Sequence, residues 1–154
     1  MHETMTKRWL LIVPLVALLA VAAACGSAAT DEDATQAAPA ALGQRVETEG
    51  GTYVNVTPQE LQSMLSDDDF LLVNVYAGDM GEIEDTDLFI PYDQIAGRVG
   101  ELPSQRDSEI VLYCRSGRSS AIAATTIVGL GYTDVWNLDG GMIAWEEAGY
   151  PLLR

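Results

Sequence analysis

The stretch Ile110-Val111-Leu112-Tyr113-Cys114-Arg115-Ser116-Gly117-Arg118-Ser119 sets the fold. Its first four residues are apolar and β-prone without alternation, the pattern of a strand covered on both faces in a parallel sheet. Residues 119–130 follow, rich in Ala, Ile and Val and closed by Gly129 and Gly131, which predicts a helix with a glycine stop. Cys114 therefore stands in a strand-to-helix turn. In open α/β sheets that edge, beyond the carboxyl ends of the strands, is where ligands bind.

Working outward, residues 70–75 and 134–138 give two further buried-strand patterns. Thr57, Pro58 and Glu60 make a capping-box start with proline at the first helical position, and Leu61, Met64 and Leu65 continue it as a short helix ending near Asp67. Residues 91–102 look helical, with Ile95 and Val99 on one face. Strand and helix alternate through short loops, so the connections should be right-handed crossovers. The expected architecture is α/β, a small parallel sheet flanked by helices on both faces, in one domain over residues 51–154.

A loop leaving a strand at Cys114 can curl so that successive N–H groups from Arg115 to Ser119 face inward as an anion nest, with the next helix dipole aimed at the same point. Gly117 supplies the backbone freedom this needs. Arg115 and Arg118 add positive charge that favours an anionic sulfur, the form that acts as nucleophile. A free cysteine ending a core strand is often only a small buried hydrophobe. Two arginines, a glycine and a helix start within five residues outweigh that reading.

The segment Cys114-Arg115-Ser116-Gly117-Arg118-Ser119 resembles the active loop of single-domain rhodaneses, thiosulfate-type sulfurtransferases and their relatives. The stretch Trp136-Asn137-Leu138-Asp139-Gly140-Gly141-Met142-Ile143-Ala144-Trp145, followed by Gly149 and Pro151, resembles that family's closing motif. The resemblance covers the region from about Gly51 to Arg154. It implies an enzyme in which Cys114 carries a persulfide. The amides of Arg115, Ser116, Gly117, Arg118 and Ser119 would hold it, Arg115 and Arg118 would draw in a small anionic donor of the thiosulfate or polysulfide class, and Ser116 and Ser119 would be supporting hydrogen-bonders. It implies no cofactor and no metal. Trp136, Trp145 and the Gly140-Gly141 pair read as elements of the fold.

The first half departs from the family pattern. An Asp and an Arg two residues apart usually end the central strand, followed by a Gly-His-Ile segment; Asn74 and Tyr76 stand here, and residues 81–90 contain no histidine. Thiosulfate specificity does not follow from the loop alone. Rhodanese-shaped phosphatases carry an arginine six positions after the cysteine, and Ser120 occupies that position, so the clamp for a phosphoryl group is missing. The acidic run Asp79, Glu82, Glu84, Asp85, Asp87 lacks the spacing of a calcium loop and reads as a solvated loop. Two readings of other classes stay open: a non-catalytic interaction module docking a partner protein, and a persulfide carrier using the same thiol.

Residues 1–24 read as a lipoprotein signal peptide: Lys7 and Arg8 precede an apolar run from Trp9 to Ala24 too short to span a bilayer comfortably. Ala22-Ala23-Ala24 before Cys25 resembles a lipobox, with Ala22 where leucine is usual, and implies cleavage and diacylation of Cys25. Ordinary secretion and an uncleaved anchor are the alternatives. Residues 25–50, rich in Ala, Thr, Pro, Gly and acids, read as a flexible tether. The domain would then sit at a cell membrane, lipid-anchored on its extracytoplasmic face.

Removing Glu3, Lys7 and Arg8 with the leader leaves 22 acidic residues, six arginines and a net charge of −16. Nucleic acid and anionic lipid surfaces are poor partners for that sign. Two of the six arginines flank Cys114. Cys25 and Cys114 are the only cysteines, so acylation of the first leaves the second without a disulfide partner. His2, the single histidine, leaves with the signal, which removes any Cys/His dyad.

Overall fold

The central strand is the one the apolar run at residue 110 predicts. In a computed structural model that describes residues 42–66 and 69–154, β1 (Gln44–Thr48) and β2 (Gly51–Val56) precede α1 (Pro58–Met64). β3 (Leu71–Asn74), β4 (Leu88–Phe89), β5 (Ile110–Tyr113), α2 (Arg118–Gly129), β6 (Val135–Leu138) and α3 (Gly141–Glu147) follow. The strand order is β1-β2-β6-β5-β3-β4, with every pairing parallel except β1 to β2.

All four residues of β5 are fully buried because both faces are covered. Ile110, Leu112 and Cys114 point to the layer that holds Ala123, Ala124 and Ile127 of α2. Val111 and Tyr113 point to the opposite layer, with Leu61 and Met64 of α1 and Met142 and Trp145 of α3. That period of two explains the two helix layers. Burial of side chains of this size stabilises by about 1.5–3 kcal/mol each, so the two layers supply most of what holds the sheet together.

Three expectations need correction. The composition of residues 25–50 predicts a tether throughout, yet Gln44–Thr48 forms β1, paired in register with β2 from Gln44↔Asn55 to Thr48↔Gly51. Its polar composition is that of an edge strand of a hairpin, half of which faces solvent. Residues 91–102 do not form an α-helix but turns and a short 3-10 stretch, Val99–Glu101. Gly97 and Gly100 interrupt the helical pattern, and the bonds are mostly i to i−3, as in Gln94 N to Pro91 O (2.8 Å) and Glu101 N to Arg98 O (2.9 Å). Ile95 is nevertheless fully buried, so the apolar spacing marked the right face. The acidic run is more than a solvated loop: Ile83 within it is buried, and Asp87 accepts the amide of Leu72 at 2.8 Å.

The capping box at Thr57 is present in full. Thr57 Oγ1 accepts the Glu60 amide (3.2 Å) and Glu60 Oε2 accepts the Thr57 amide (2.8 Å). Glu60 Oε1 also accepts the amide of Gly43 (3.0 Å), which ties the start of the hairpin to α1. These backbone bonds hold the Glu60 carboxyl below the usual carboxylate range. Among the described residues no helix is long and apolar enough to cross a membrane. The signal peptide, Cys25 and the tether up to residue 41 lie outside the described residues.

Candidate active site

Cys114 directly follows β5 and is 1% exposed. Its Sγ receives two donors from one residue: the Ser120 amide at 3.4 Å and the Ser120 hydroxyl at 3.3 Å. Ser120 is the third residue of α2. The helix begins on Gly117, which sits in the left-handed region at φ 79° and offers no capping side chain. A helix start leaves its first amides without intrahelical acceptors. The sulfur of Cys114 takes the place of the missing cap, at the helix start where the orphan amides and the helix dipole converge.

The loop is held from behind by α3. The amides of Met142 and Ile143 donate to the carbonyls of Cys114 (2.9 Å) and Arg115 (3.0 Å). Such an approach is open only to glycine. A Cβ on Gly141, where φ is 59°, would overlap the Cys114 carbonyl oxygen and lie 2.7 Å from the Gly117 nitrogen. A Cβ on Gly117 would lie 2.8 Å from the Gly140 nitrogen. The paired glycines, read from sequence as a turn of the fold, thus also shape the loop. Trp145 and Trp136 do behave as packing elements: Trp145 is buried against Tyr150, ring centroids 4.6 Å apart, and Trp136 Nε1 donates to Asp134 at 2.6 Å.

Of the residues predicted for the site, Arg115, Ser116 and Arg118 are exposed, Ser119 is half-buried and Gly117 is buried. They follow Cys114 in the strand-to-helix turn, with both arginines exposed and the sulfur buried. The described hydrogen bonds to Sγ come from Ser120 rather than from Ser116 or Ser119. Sequence reading singled out Ser120 only as the place where a phosphatase would carry arginine. The signal that could have found it was its position in the first turn of a helix whose N-cap is glycine.

At the neighbouring strand end, Asn74 is 6% exposed and accepts the Tyr76 amide through Oδ1 at 3.0 Å, closing a tight local turn. The pair that replaces the family's acid and arginine therefore braces the backbone without charge. Tyr113, fully buried beside it, accepts the Ile83 amide (3.1 Å) and is hydrogen-bonded to the Thr86 hydroxyl (2.7 Å between oxygens). Burial pushes its phenol above the usual range.

The family model described as a rhodanese-like domain matches residues 57–148. A sulfurtransferase from Allochromatium vinosum is 37% identical over 102 residues, covering 64% of this chain and 92% of that protein. A tRNA uridine(34) hydroxylase from Escherichia coli is 31% identical over 113 residues, 66% of this chain but 31% of that protein. Among solved structures, a thiosulfate sulfurtransferase from Pseudomonas aeruginosa superposes with a TM-score of 0.57 at 25% identity, over 65% of this chain and 20% of that one. The match spans nearly all of the first protein and under a third of the other two.

Proposed function

This chain belongs to the rhodanese-like domain family, with relatives named sulfurtransferases, and from that premise we propose that Cys114 is the site of sulfane-sulfur transfer from a small anionic donor to a thiophilic acceptor. With thiosulfate as donor, the Cys114 thiolate attacks the outer sulfur and sulfite leaves, giving a cysteine persulfide that carries the negative charge on its outer sulfur. An acceptor such as cyanide then takes that sulfur as thiocyanate and returns the thiolate. Each step conserves charge and needs no external oxidant or reductant.

The observation that carries this reading is the sulfur itself, buried at the start of α2 with an N–H and an O–H directed at it. Both groups are donors that an anionic sulfur, the form the attack requires, can accept. Burial to 1% favours a donor small enough to enter the loop, and exposed Arg115 and Arg118 give an anion something to approach. Polysulfide fits the same chemistry. The experiment is to incubate wild type and Cys114→Ser with thiosulfate or polysulfide, measure thiocyanate after adding cyanide, and follow intact mass. One added sulfur on wild type alone supports the proposal. Product from both proteins alike, or no adduct with either donor, overturns it. An adduct that cyanide cannot discharge points instead to a persulfide carrier that docks a partner protein.

The lipid anchor is the second part of the proposal: diacylated Cys25 would hold the domain at the extracytoplasmic face of the membrane, through a tether ending before β1. Two or more acyl chains suffice for stable anchoring where one is marginal. Cys25→Ala should shift the protein from the detergent phase to the aqueous phase. Retention in the membrane would favour an uncleaved segment instead.

A further inference from the structure

Ser120 is wholly buried and its hydroxyl stands between two acceptors, Cys114 Sγ at 3.3 Å and the Gly117 carbonyl oxygen at 3.1 Å. A hydroxyl has one hydrogen and can serve only one of them at a time. Turning away from Gly117 costs little, because that carbonyl keeps the Ala121 amide at 3.1 Å in either case. Turning away from an anionic Sγ is dearer, since bonds to charged groups are roughly twice as strong as neutral ones.

We infer that Ser120 is a catalytic residue whose hydroxyl follows the charge on Cys114, a role that rests on the sulfurtransferase reading and assigns to one group the control of sulfur release. When Sγ is a thiolate the hydroxyl donates to it. When Cys114 carries the persulfide, Sγ is neutral and bonded to the outer sulfur, which holds the charge; the hydroxyl then returns to Gly117. In loading, Sγ gives up the bond from Ser120 as its electron pair forms the new S–S bond and the donor's leaving group departs. In discharge, the acceptor bonds to the outer sulfur, the S–S bond breaks, and its electron pair returns to Sγ as the hydroxyl swings back. The same bond therefore opposes loading and assists discharge.

This asymmetry separates the role from a structural one. A loop merely loosened by losing Ser120 would slow both steps. Loss of the hydroxyl alone should slow discharge about tenfold, the order expected for one hydrogen bond to a charged group, and leave loading unchanged or faster. The Ser120 amide remains, so discharge is not abolished.

The test is single-turnover kinetics by intact mass on the full chain, loading with thiosulfate or polysulfide and discharging with cyanide, for wild type, Ser120→Ala and Ser120→Thr. Alanine removes one oxygen from a helix and is expected to fold, which circular dichroism verifies; threonine keeps the hydroxyl near the Gly117 carbonyl. Slow discharge with undiminished loading in Ser120→Ala, restored in Ser120→Thr, is the expected result. Equal slowing of both steps, no slowing, or a threonine variant behaving like alanine would overturn it. If wild type takes up no sulfur from either donor, the sulfurtransferase reading falls, and alkylation of Cys114 by iodoacetamide, at a pH high enough that its rate no longer rises, decides on Ser120 alone. Because the hydroxyl opposes attack by the thiolate it bonds, a higher limiting rate in Ser120→Ala keeps that bond to sulfur; an equal or lower one removes it.

Discussion

The amide of Met142 donates to the carbonyl oxygen of Cys114 at 2.9 Å, so the residue that opens the strand-to-helix turn is fastened by α3, late in the chain. That bond exists because Gly141 brings the α3 backbone against the loop. Gly141→Ala should break the arrangement twice over, by a positive φ that alanine resists and by overlap with Cys114 and Gly117. The expected cost is about 3 kcal/mol of stability, with sulfur uptake reduced beyond what residual unfolding explains. Gly149→Ala is the control, since its φ is also positive but a Cβ there meets open space. Denaturant midpoints for the two variants settle it: equal losses would mean that φ strain alone matters.

Arg115 and Arg118 are exposed, so their attraction for a donor acts through solvent and is open to screening. Replacing either by Ala should raise KM for an anionic donor several-fold and leave kcat nearly unchanged. Raising salt from about 0.05 to 0.5 M should reproduce part of the loss in wild type and less in the variants. A neutral sulfur donor should be indifferent to both changes. Variants whose KM matches wild type at low salt would remove the two side chains from donor recruitment.

Two glutamates give the acid limb of stability opposite signs. Glu60 is held below its ordinary range by the amides of Thr57 and Gly43, so its contribution is present above the unfolded pKa near 4.5 and is lost as pH falls through the lower folded value. Glu109 is raised, first by burial and then by Asp134 and Asp69, so folding is helped below its unfolded pKa and loses that help as pH rises through the raised value. Glu60→Gln should therefore destabilise at pH 7 by about 1 kcal/mol or less, because the site is largely exposed, and the deficit should shrink as pH falls below 4.5. Glu109→Gln should stabilise at pH 7 and lose its advantage in acid. Urea midpoints across pH 3–7 test both, and parallel curves for all three proteins would refute the assignments.

The sequence made β5, the turn and α2 legible because a continuous apolar run, a glycine and a helix of small residues each have a single local reading. The thiol lay at their junction and was found with them. β1 was hidden because an edge strand in a hairpin needs few apolar residues, and Arg45, Glu47 and Thr48 resemble a linker. β4 is two residues long and exists only through its pairing with β3, at Val73↔Leu88 and Asn74↔Phe89. Ser120 and Gly141 matter through approaches between distant elements, which no periodicity records. Asn74 and Tyr76 were visible as departures from a family pattern, but that a side-chain amide replaces a charge there is a fact of three dimensions.

That replacement makes the last prediction. Asn74 Oδ1 accepts the Tyr76 amide in a site only 6% exposed, near the buried Tyr113 phenol, whose surroundings already include Glu82. Asn74→Asp keeps the shape and the acceptor but adds a negative charge at a site that is 6% exposed. The expected cost at pH 7 is about 2 kcal/mol, diminishing as pH falls and the new carboxyl is protonated. Adding Tyr76→Arg supplies the partner two residues on, and the double variant should recover about 1 kcal/mol relative to Asn74→Asp alone. Tyr76→Arg by itself should be destabilising, because it removes an aromatic ring that packs on Gly78 and leaves a guanidinium beside a neutral amide. Chemical denaturation of the four proteins yields the coupling energy directly. A favourable coupling means that the charge pair of related domains and the neutral turn of this one are alternative solutions for the same strand end; a coupling of zero would mean that Asn74 serves its turn alone and that the residue at 76 is independent of it.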